Sequence, residues 1–251
     1  MADRLTGKSI LIIGAATDIG RAVAEAVVAE GARVVIPDLA RDAGAEAAAA
    51  IGRGCHFLHC DVSEEASVGS TMAEATRLMG GLTGLVNNAG MKPAGPLETT
   101  SSADWDQMMT VNARGVFLAT REAVPYLRAG GGGSIVNTSS LAGKRGGPGI
   151  TGYAATKGAV LAFSTAAALE LAKDRIRVNS VYPGFVDTPC NAPAISYMGG
   201  REAQEKIVTA WVPLGRPCLP EEGAPMYVYL LSDESGYVTA QALSIDGGVD
   251  N

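Results

Sequence analysis

Aromatic side chains are scarce in this 251-residue chain, at 5% of positions, and histidine occurs twice. A core with few rings has to be packed from Ala, Val, Ile and Leu, as buried parallel sheets usually are. No apolar run approaches the ~20 residues needed to cross a bilayer, so no membrane partner is expected. No basic block interrupts a formal charge of −6, which argues against nucleic acid as a partner. The first residues, Met1 to Lys8, lack the apolar segment of a secretory signal and run directly into a strand pattern. The expectation is a soluble, cytoplasmic protein.

Cysteine is also sparse. The four, at positions 55, 60, 190 and 218, form no Cys-x-x-Cys pair. Cys55-His56-Phe57-Leu58-His59-Cys60 groups two of them with both histidines. On a strand, Cys55 and His59 face one side and His56 and Cys60 the other, so the four cannot converge on a metal. No metal site is expected.

Glycine, by contrast, is abundant at 32 residues, and it falls at apparent strand-to-helix turns rather than in a fixed repeat. The length suits one α/β domain, here residues 1–251, better than two small ones. Ser9 to Ile13 reads as a buried strand and Gly14 to Gly20 as the turn after it. Arg21 to Glu30 reads as a helix and Arg33 to Pro37 as a second strand ending at Asp38. Such a βαβ unit presents backbone N–H groups and a helix N-terminus to a pyrophosphate. Gly14, Thr17, Asp18, Ile19 and Gly20 are its candidate phosphate turn. Asp38, eighteen residues after Gly20, with Leu39 beside it, is placed to accept hydrogen bonds from an adenosine ribose. Its charge would repel a 2′-phosphate, which favours NAD over NADP.

Farther along, the pattern predicts a helix over Arg41 to Gly52, a strand ending at Asp61-Val62, and a helix over Ser63 to Met79 with a serine cap. A strand over Leu82 to Val86 stops at Asn87-Asn88-Ala89-Gly90, and Asp104 to Ala129 reads as one long helix carrying Asn112. A strand over Ser134 to Thr138 ends in two serines, and a Gly/Pro-rich loop leads to a helix from Tyr153 to Lys173. Arg175 to Val181 is a strand broken by Pro183-Gly184, Glu221 to Leu231 a helix, and Ala242 to Gly248 a closing strand and turn. Phe185 to Arg216 carries so many Pro and Gly residues that it reads as irregular, with a lid over about 188–216.

Tyr153 and Lys157 are four apart and share one helix face. A phenol titrates near pH ~10, and a neighbouring ammonium lowers that value. Tyr153 can then exchange a proton with an alcohol or a carbonyl, while Ser140 hydrogen-bonds the same oxygen.

Taken together, these residues resemble the classical short-chain dehydrogenase/reductases over essentially the whole chain. The markers run in the family's order: the glycine-rich turn, Asp61, Asn87-Asn88-Ala89-Gly90, Asn112, Ser140, Tyr153-x-x-x-Lys157, Pro183-Gly184 and Ile245-Asp246-Gly247-Gly248. The resemblance implies a Rossmann-like, doubly wound α/β fold, a parallel sheet of about seven strands with helices on both faces. It implies Tyr153 as the acid/base, Lys157 as the group that binds the nicotinamide ribose and lowers the tyrosine's pKa, and Ser140 as the residue that steadies the substrate oxygen. Ser140 rather than Ser139 matches, because the family's serine stands thirteen residues before the tyrosine. Asn112 matches a residue that holds a water linking Lys157 to solvent. Asp61 and Val62 match adenine contacts, and Asn88, Ala89 and Gly90 the place where the chain passes the cofactor. Pro183, Gly184, Val186 and Thr188 match the segment that meets the nicotinamide. Many members are homotetramers or homodimers built through the helices carrying Asn112 and Tyr153.

Three positions depart from the pattern: Ile13 for Thr, Asp18 for the second glycine, and Ala240 for a glycine. Asp18 is expected to cap its own helix, with its carboxylate turned away from the ligand. The activity implied is an NAD(H)-dependent oxidoreductase interconverting a secondary alcohol and a ketone. The alternatives are a 3-oxoacyl thioester reductase using NADPH and a non-catalytic dinucleotide sensor or scaffold. Candidate substrate walls, besides Ser140 and Tyr153, are Pro93, Ala142, Ile150, Met198 and Trp211, drawn from Lys92 to Pro96, Leu141 to Ile150 and Cys190 to Trp211. Lys144 and Arg145 read as solvated loop charges.

Overall fold

The computed structural model describes residues 3–250. Seven strands make one parallel sheet in the order β3-β2-β1-β4-β5-β6-β7. They are β1 (Ser9–Ile13), β2 (Arg33–Asp38), β3 (His56–His59), β4 (Gly84–Asn87), β5 (Gly133–Thr138), β6 (Ile176–Pro183) and β7 (Ala242–Ile245). The helices are α1 (Asp18–Ala29), α2 (Arg41–Ile51), α3 (Glu65–Met79), α4 (Ser102–Met109), α5 (Gly115–Ala129), α6 (Ala142–Arg145), α7 (Thr151–Leu171), α8 (Ala192–Tyr197), α9 (Arg201–Trp211) and α10 (Pro220–Leu231). The strand order reverses between β1 and β4, and that switch point opens a crevice beyond the carboxyl ends of the strands.

Alternate residues of each strand feed two apolar layers. Ile10, Ile12, Val34, Ile36 and Val136 pack with Val23, Val27 and Tyr227 on one face. Leu11, Ile13, Val35, Leu85 and Ile135 pack with Met72, Leu118 and Leu171 on the other. The same alternation divides the Cys/His segment: Cys55 and Phe57 lie against the first layer, Leu58 and Cys60 against the second. Buried amides beneath the crevice are paired. Asn87 donates to Asn137 Oδ1 at 2.8 Å, and Asn137 donates to Ser164 Oγ at 2.8 Å.

Three elements differ from expectation. The segment read as irregular contains α8 and α9, because Pro193 sits in the first turn of α8, where no N–H is needed. Gly199 and Gly200, both at φ +98°, turn the chain between the two helices. The helix expected over Asp104 to Ala129 is α4 and α5 joined by a π turn, Thr110–Arg114. Ser63 does not cap α3: its hydroxyl donates to Asp61 Oδ1 at 2.6 Å, and the helix begins at Glu65 without a side-chain cap.

Ala240 holds φ +58°, the left-handed region that glycine enters freely and a Cβ makes costly. Replacing Ala240 by Gly is expected to raise stability by about 0.5–1 kcal/mol and the thermal midpoint by about 1–4 °C. A midpoint that stays put or falls would show that alanine is unstrained there.

Candidate active site

The crevice encloses about 500 Å³. At one end Gly14, Thr17, Asp18 and Ile19 meet Asp38, Leu39, Asp61 and Val62. Asn88, Ala89 and Gly90 run along its middle. Ser140, Tyr153 and Lys157 stand with Pro183, Gly184, Val186 and Thr188 at the other end.

The turn after β1 interlocks with the loop after β4. Gly14 is at φ +81°, and a Cβ there would come within 2.5 Å of the Ala89 backbone. A Cβ on Gly20 would lie 2.0 Å from the Gly14 carbonyl. Asn88 Nδ2 donates to that carbonyl at 2.7 Å. The carboxylate of Asp38 accepts from Ala16 N and Ala40 N, each at 3.0 Å, and so ties the end of β2 to the turn. Asp61 accepts from the Ser63 hydroxyl and N–H, which hold its carboxyl below the usual range.

Asp18 does not cap α1. The helix has no side-chain cap, and Asp18 occupies its first turn at φ +54°, a conformation that Asp tolerates better than most residues. Its carboxylate faces the crevice, where burial raises its pKa while the Cys190 N–H and the Thr17 hydroxyl hold it down. The physical reason is the left-handed backbone, which directs the side chain across the crevice rather than along the helix.

At the opposite end, Lys157 is buried at 4% exposure. Its Nζ donates to the Thr138 carbonyl at 2.7 Å, and its own carbonyl accepts from Ser139 Oγ at 2.8 Å. Ser139 thus braces α7 against β5, while Ser140 accepts from Ala142 N at 3.1 Å and hydrogen-bonds Tyr153. Lys157 Nζ lies 5.8 Å from the centre of the Tyr153 ring. Burial pushes the phenol up to about 12, with the Ser140 hydroxyl pulling it back. Burial also pushes Lys157 down to about 8, and neighbouring Lys92 acts in the same direction. The expected lowering of the phenol by Lys157 is therefore outweighed here by desolvation of the phenolate.

Asn112 is fully buried in the π turn. Its amide exchanges two hydrogen bonds with the Met91 backbone, at 2.8 and 2.9 Å, and donates to Thr156 Oγ1 at 3.1 Å. A π turn inserted into a helix is a common device for aiming a side chain at a site.

The expected substrate walls fare differently. Pro93, Ala142, Ile150, Met198 and Trp211 are not among the described residues that line the crevice. Trp211 is 65% exposed at the end of α9. Ala142 lies behind Ser140, which it holds through its N–H. Ile150 packs against the Gly147 side of its loop, and the Tyr197 ring lies over Gly149. Lys144 and Arg145 both pair with Asp250, so neither is a free loop charge. The walls observed are Met91, Lys92, Gln107, Val111, Cys190 and Asn191. Gln107 and Val111 carried no signal in the sequence. Asn191 accepts from the ammonium of Lys92, ninety-nine positions away in the chain.

Comparison with known proteins gives a consistent set of likenesses. The family whose profile matches residues 14–250 is described as enoyl-(acyl carrier protein) reductase. A 3-alpha-(or 20-beta)-hydroxysteroid dehydrogenase of Mycobacterium bovis is 38% identical, covering 99% of this chain and 91% of that protein. The crystal structure of levodione reductase superposes with a TM-score of 0.93 at 32% identity, covering 97% of this chain and 98% of that one. A 3-ketoacyl-(acyl-carrier-protein) reductase from Brucella melitensis, complexed with NADH, gives 0.91 at 31% identity, covering 98% and 100%.

The buried ammonium has a consequence for stability. A lysine whose pKa falls from 10.5 to about 8 on folding binds fewer protons in the folded than in the unfolded chain between those values. Its burial cost is full below pH ~8 and is relieved as pH rises towards ~10.5. Lys157→Met, compared with wild type by denaturant unfolding without cofactor, is expected to lack this gain between about pH 8 and 10. Parallel profiles for the two proteins would contradict a buried, depressed Lys157.

Proposed function

Because the chain belongs to the classical short-chain dehydrogenase/reductase family, and is an oxidoreductase interconverting secondary alcohols and ketones, we propose that Ser140, Tyr153 and Lys157 carry its chemistry with NAD(H). The observation that carries this reading is the convergence of these three side chains at one end of a crevice whose other end is closed by Asp38.

The residues fit a dinucleotide. Gly14 and Gly20 let the turn pack tightly on itself and on the Ala89 loop, which brings Gly14, Thr17, Asp18 and Ile19 to the crevice wall, where a pyrophosphate would meet the first turn of α1. Asp38, Leu39, Asp61 and Val62 would hold the adenosine half; Asn88, Ala89, Gly90, Lys157, Pro183, Gly184, Val186 and Thr188 would hold the nicotinamide half. When bound, the nicotinamide supplies the hydride acceptor or donor.

In the oxidative direction Tyr153 takes the hydroxyl proton and Ser140 holds the oxygen. Lys157 stabilises the phenolate that accepts this proton, which then passes on towards solvent beyond Asn112. With the Asn112 side chain committed to Met91 and Thr156, its part in the proton path falls to its main chain. Asp18 makes cofactor binding costly to the extent that its carboxylate must move or take a proton, and its raised pKa fits the second course.

Asp38 supports NAD(H) over NADP(H), since a fixed carboxylate repels a ribose phosphate. The likeness to a 3-ketoacyl reductase keeps thioester reduction as the second reading, and the complete catalytic set weighs against a sensor or scaffold. We read 1–251 as one domain with α8 and α9 as its lid, in the cytoplasm, where free thiols such as the four here persist. Exposed Phe117 on α5 and Leu169 on α7 support assembly into a homotetramer or homodimer through those helices.

Two variants test the proposal. Tyr153→Phe is expected to lower kcat by about 10²–10⁴ on a secondary alcohol while still binding NADH; near-normal turnover would end the assignment. Asp38→Asn, which removes charge but little volume, is expected to shrink the NAD⁺ over NADP⁺ preference about tenfold. A wild-type preference for NADP⁺ would overturn the cofactor argument and favour the thioester reading.

A further inference from the structure

Lys92 stands in the crevice without an acid partner. Its Nζ lies 5.3 Å from the centre of the Tyr153 ring and donates to Asn191 Oδ1 at 2.8 Å. Asn191 is itself fixed, because its Nδ2 donates to the Val186 carbonyl at 2.7 Å and to Thr188 Oγ1 at 3.0 Å. The amide therefore holds the ammonium in place and uses one of its three donors. Burial lowers the proton affinity of Lys92, as it must for a cation taken out of water without compensation.

No side chain around Lys92 supplies that compensation. The titratable groups that act on Lys92 and its surroundings are Cys190 and Lys157. Cys190 is kept protonated by burial and by Asp18, so it is a neutral thiol rather than a counter-ion. Lys157 is a second cation, already committed to the Thr138 carbonyl. The carboxylates that line the crevice are Asp18, Asp38 and Asp61; Asp18 accepts from the Cys190 N–H and acts on Cys190 rather than on Lys92, while Asp38 and Asp61 are engaged with backbone and hydroxyl donors at the far end. The cofactor's phosphates do not answer either, since they belong at the turn after β1 and Lys92 stands against the reacting tyrosine.

We propose that Lys92 is the anion-recognising residue of the substrate site, selecting secondary alcohols or ketones that carry a carboxylate a few bonds from the reacting carbon. The proposal rests on the hydride-transfer reading above and narrows its substrate class. Asn191 acts as a positioning residue that aims the ammonium. A carboxylate placed there gains a charge-assisted hydrogen bond in a site shielded from water, and an uncharged ester of the same skeleton does not.

The test compares matched probes on wild type, Lys92→Gln and Lys92→Arg. The probes are 3-hydroxybutyrate and 3-hydroxycyclohexanecarboxylate, each against its methyl ester, with NAD⁺ and NADP⁺. Wild type is expected to favour at least one acid over its ester in kcat/KM. Lys92→Gln should reduce that acid-to-ester ratio by about ten- to a hundredfold, and Lys92→Arg should keep most of it. A ratio that Lys92→Gln leaves within twofold of wild type overturns the proposal while ester turnover leaves the hydride-transfer reading standing. If neither acids nor esters are oxidised, calorimetric titration of the protein–NADH complex with the same acids decides. Binding that weakens tenfold or more in Lys92→Gln sustains the anion site even though the reaction assignment has failed. Equal binding, or none, in both proteins rejects it.

Discussion

One buried hydrogen bond, from Lys157 Nζ to the Thr138 carbonyl, joins the end of strand β5 to the first turns of α7. The return bond from Ser139 to the Lys157 carbonyl makes the junction two-sided. Everything at the reacting end is placed relative to it. Ser140 follows Ser139 directly, and Tyr153 sits one turn before Lys157 on the same helix face. The loop after β4 passes close enough that a Cβ on Gly90 would lie 3.6 Å from the ammonium. Asn112, on the π turn, clamps that loop through Met91. An ammonium kept this dry is costly, and hydrogen bonds to charged groups, each worth about 1.5–3 kcal/mol, are what offset the cost.

The two ends of the crevice follow opposite electrostatic rules. Three carboxylates, Asp18, Asp38 and Asp61, stand at the end expected to hold the adenosine and pyrophosphate, and two lysines, Lys92 and Lys157, at the end that reacts. Asp38 and Asp61 are satisfied by fixed donors and serve as hydrogen-bond acceptors. Asp18 differs, because a left-handed backbone turns it into the crevice and burial favours its neutral form. At the reacting end, burial favours neutral forms of both tyrosine and lysine.

Local pattern carried most of the fold. Strands β1, β2, β4, β5 and β6 are short apolar runs closed by glycine, asparagine, proline or serine, and such signals survive in sequence because they depend on neighbours only. The Tyr153/Lys157 pair was legible for the same reason, since helical spacing alone puts both on one face. What escaped depends on contacts far apart in the chain. The helices α8 and α9 were hidden because prolines were counted as breakers, although Pro193 stands where a helix accepts one. Asp18 followed the general habit of capping residues, and a positive φ reversed its direction. The pairing of Lys92 with Asn191 spans ninety-nine residues and leaves no local trace.

The central claim is that Tyr153, Ser140 and Lys157 assist direct hydride transfer between a secondary alcohol and a nicotinamide. Its most direct test is isotopic: an alcohol deuterated at the carbinol carbon, turned over with NAD⁺, and the reduced cofactor weighed by mass spectrometry. The account predicts one deuterium carried into the NADH, with a rate lower than for the protiated alcohol if transfer limits turnover. NADH formed without deuterium would contradict it, because the hydrogen would then have come through solvent rather than directly from the carbinol carbon.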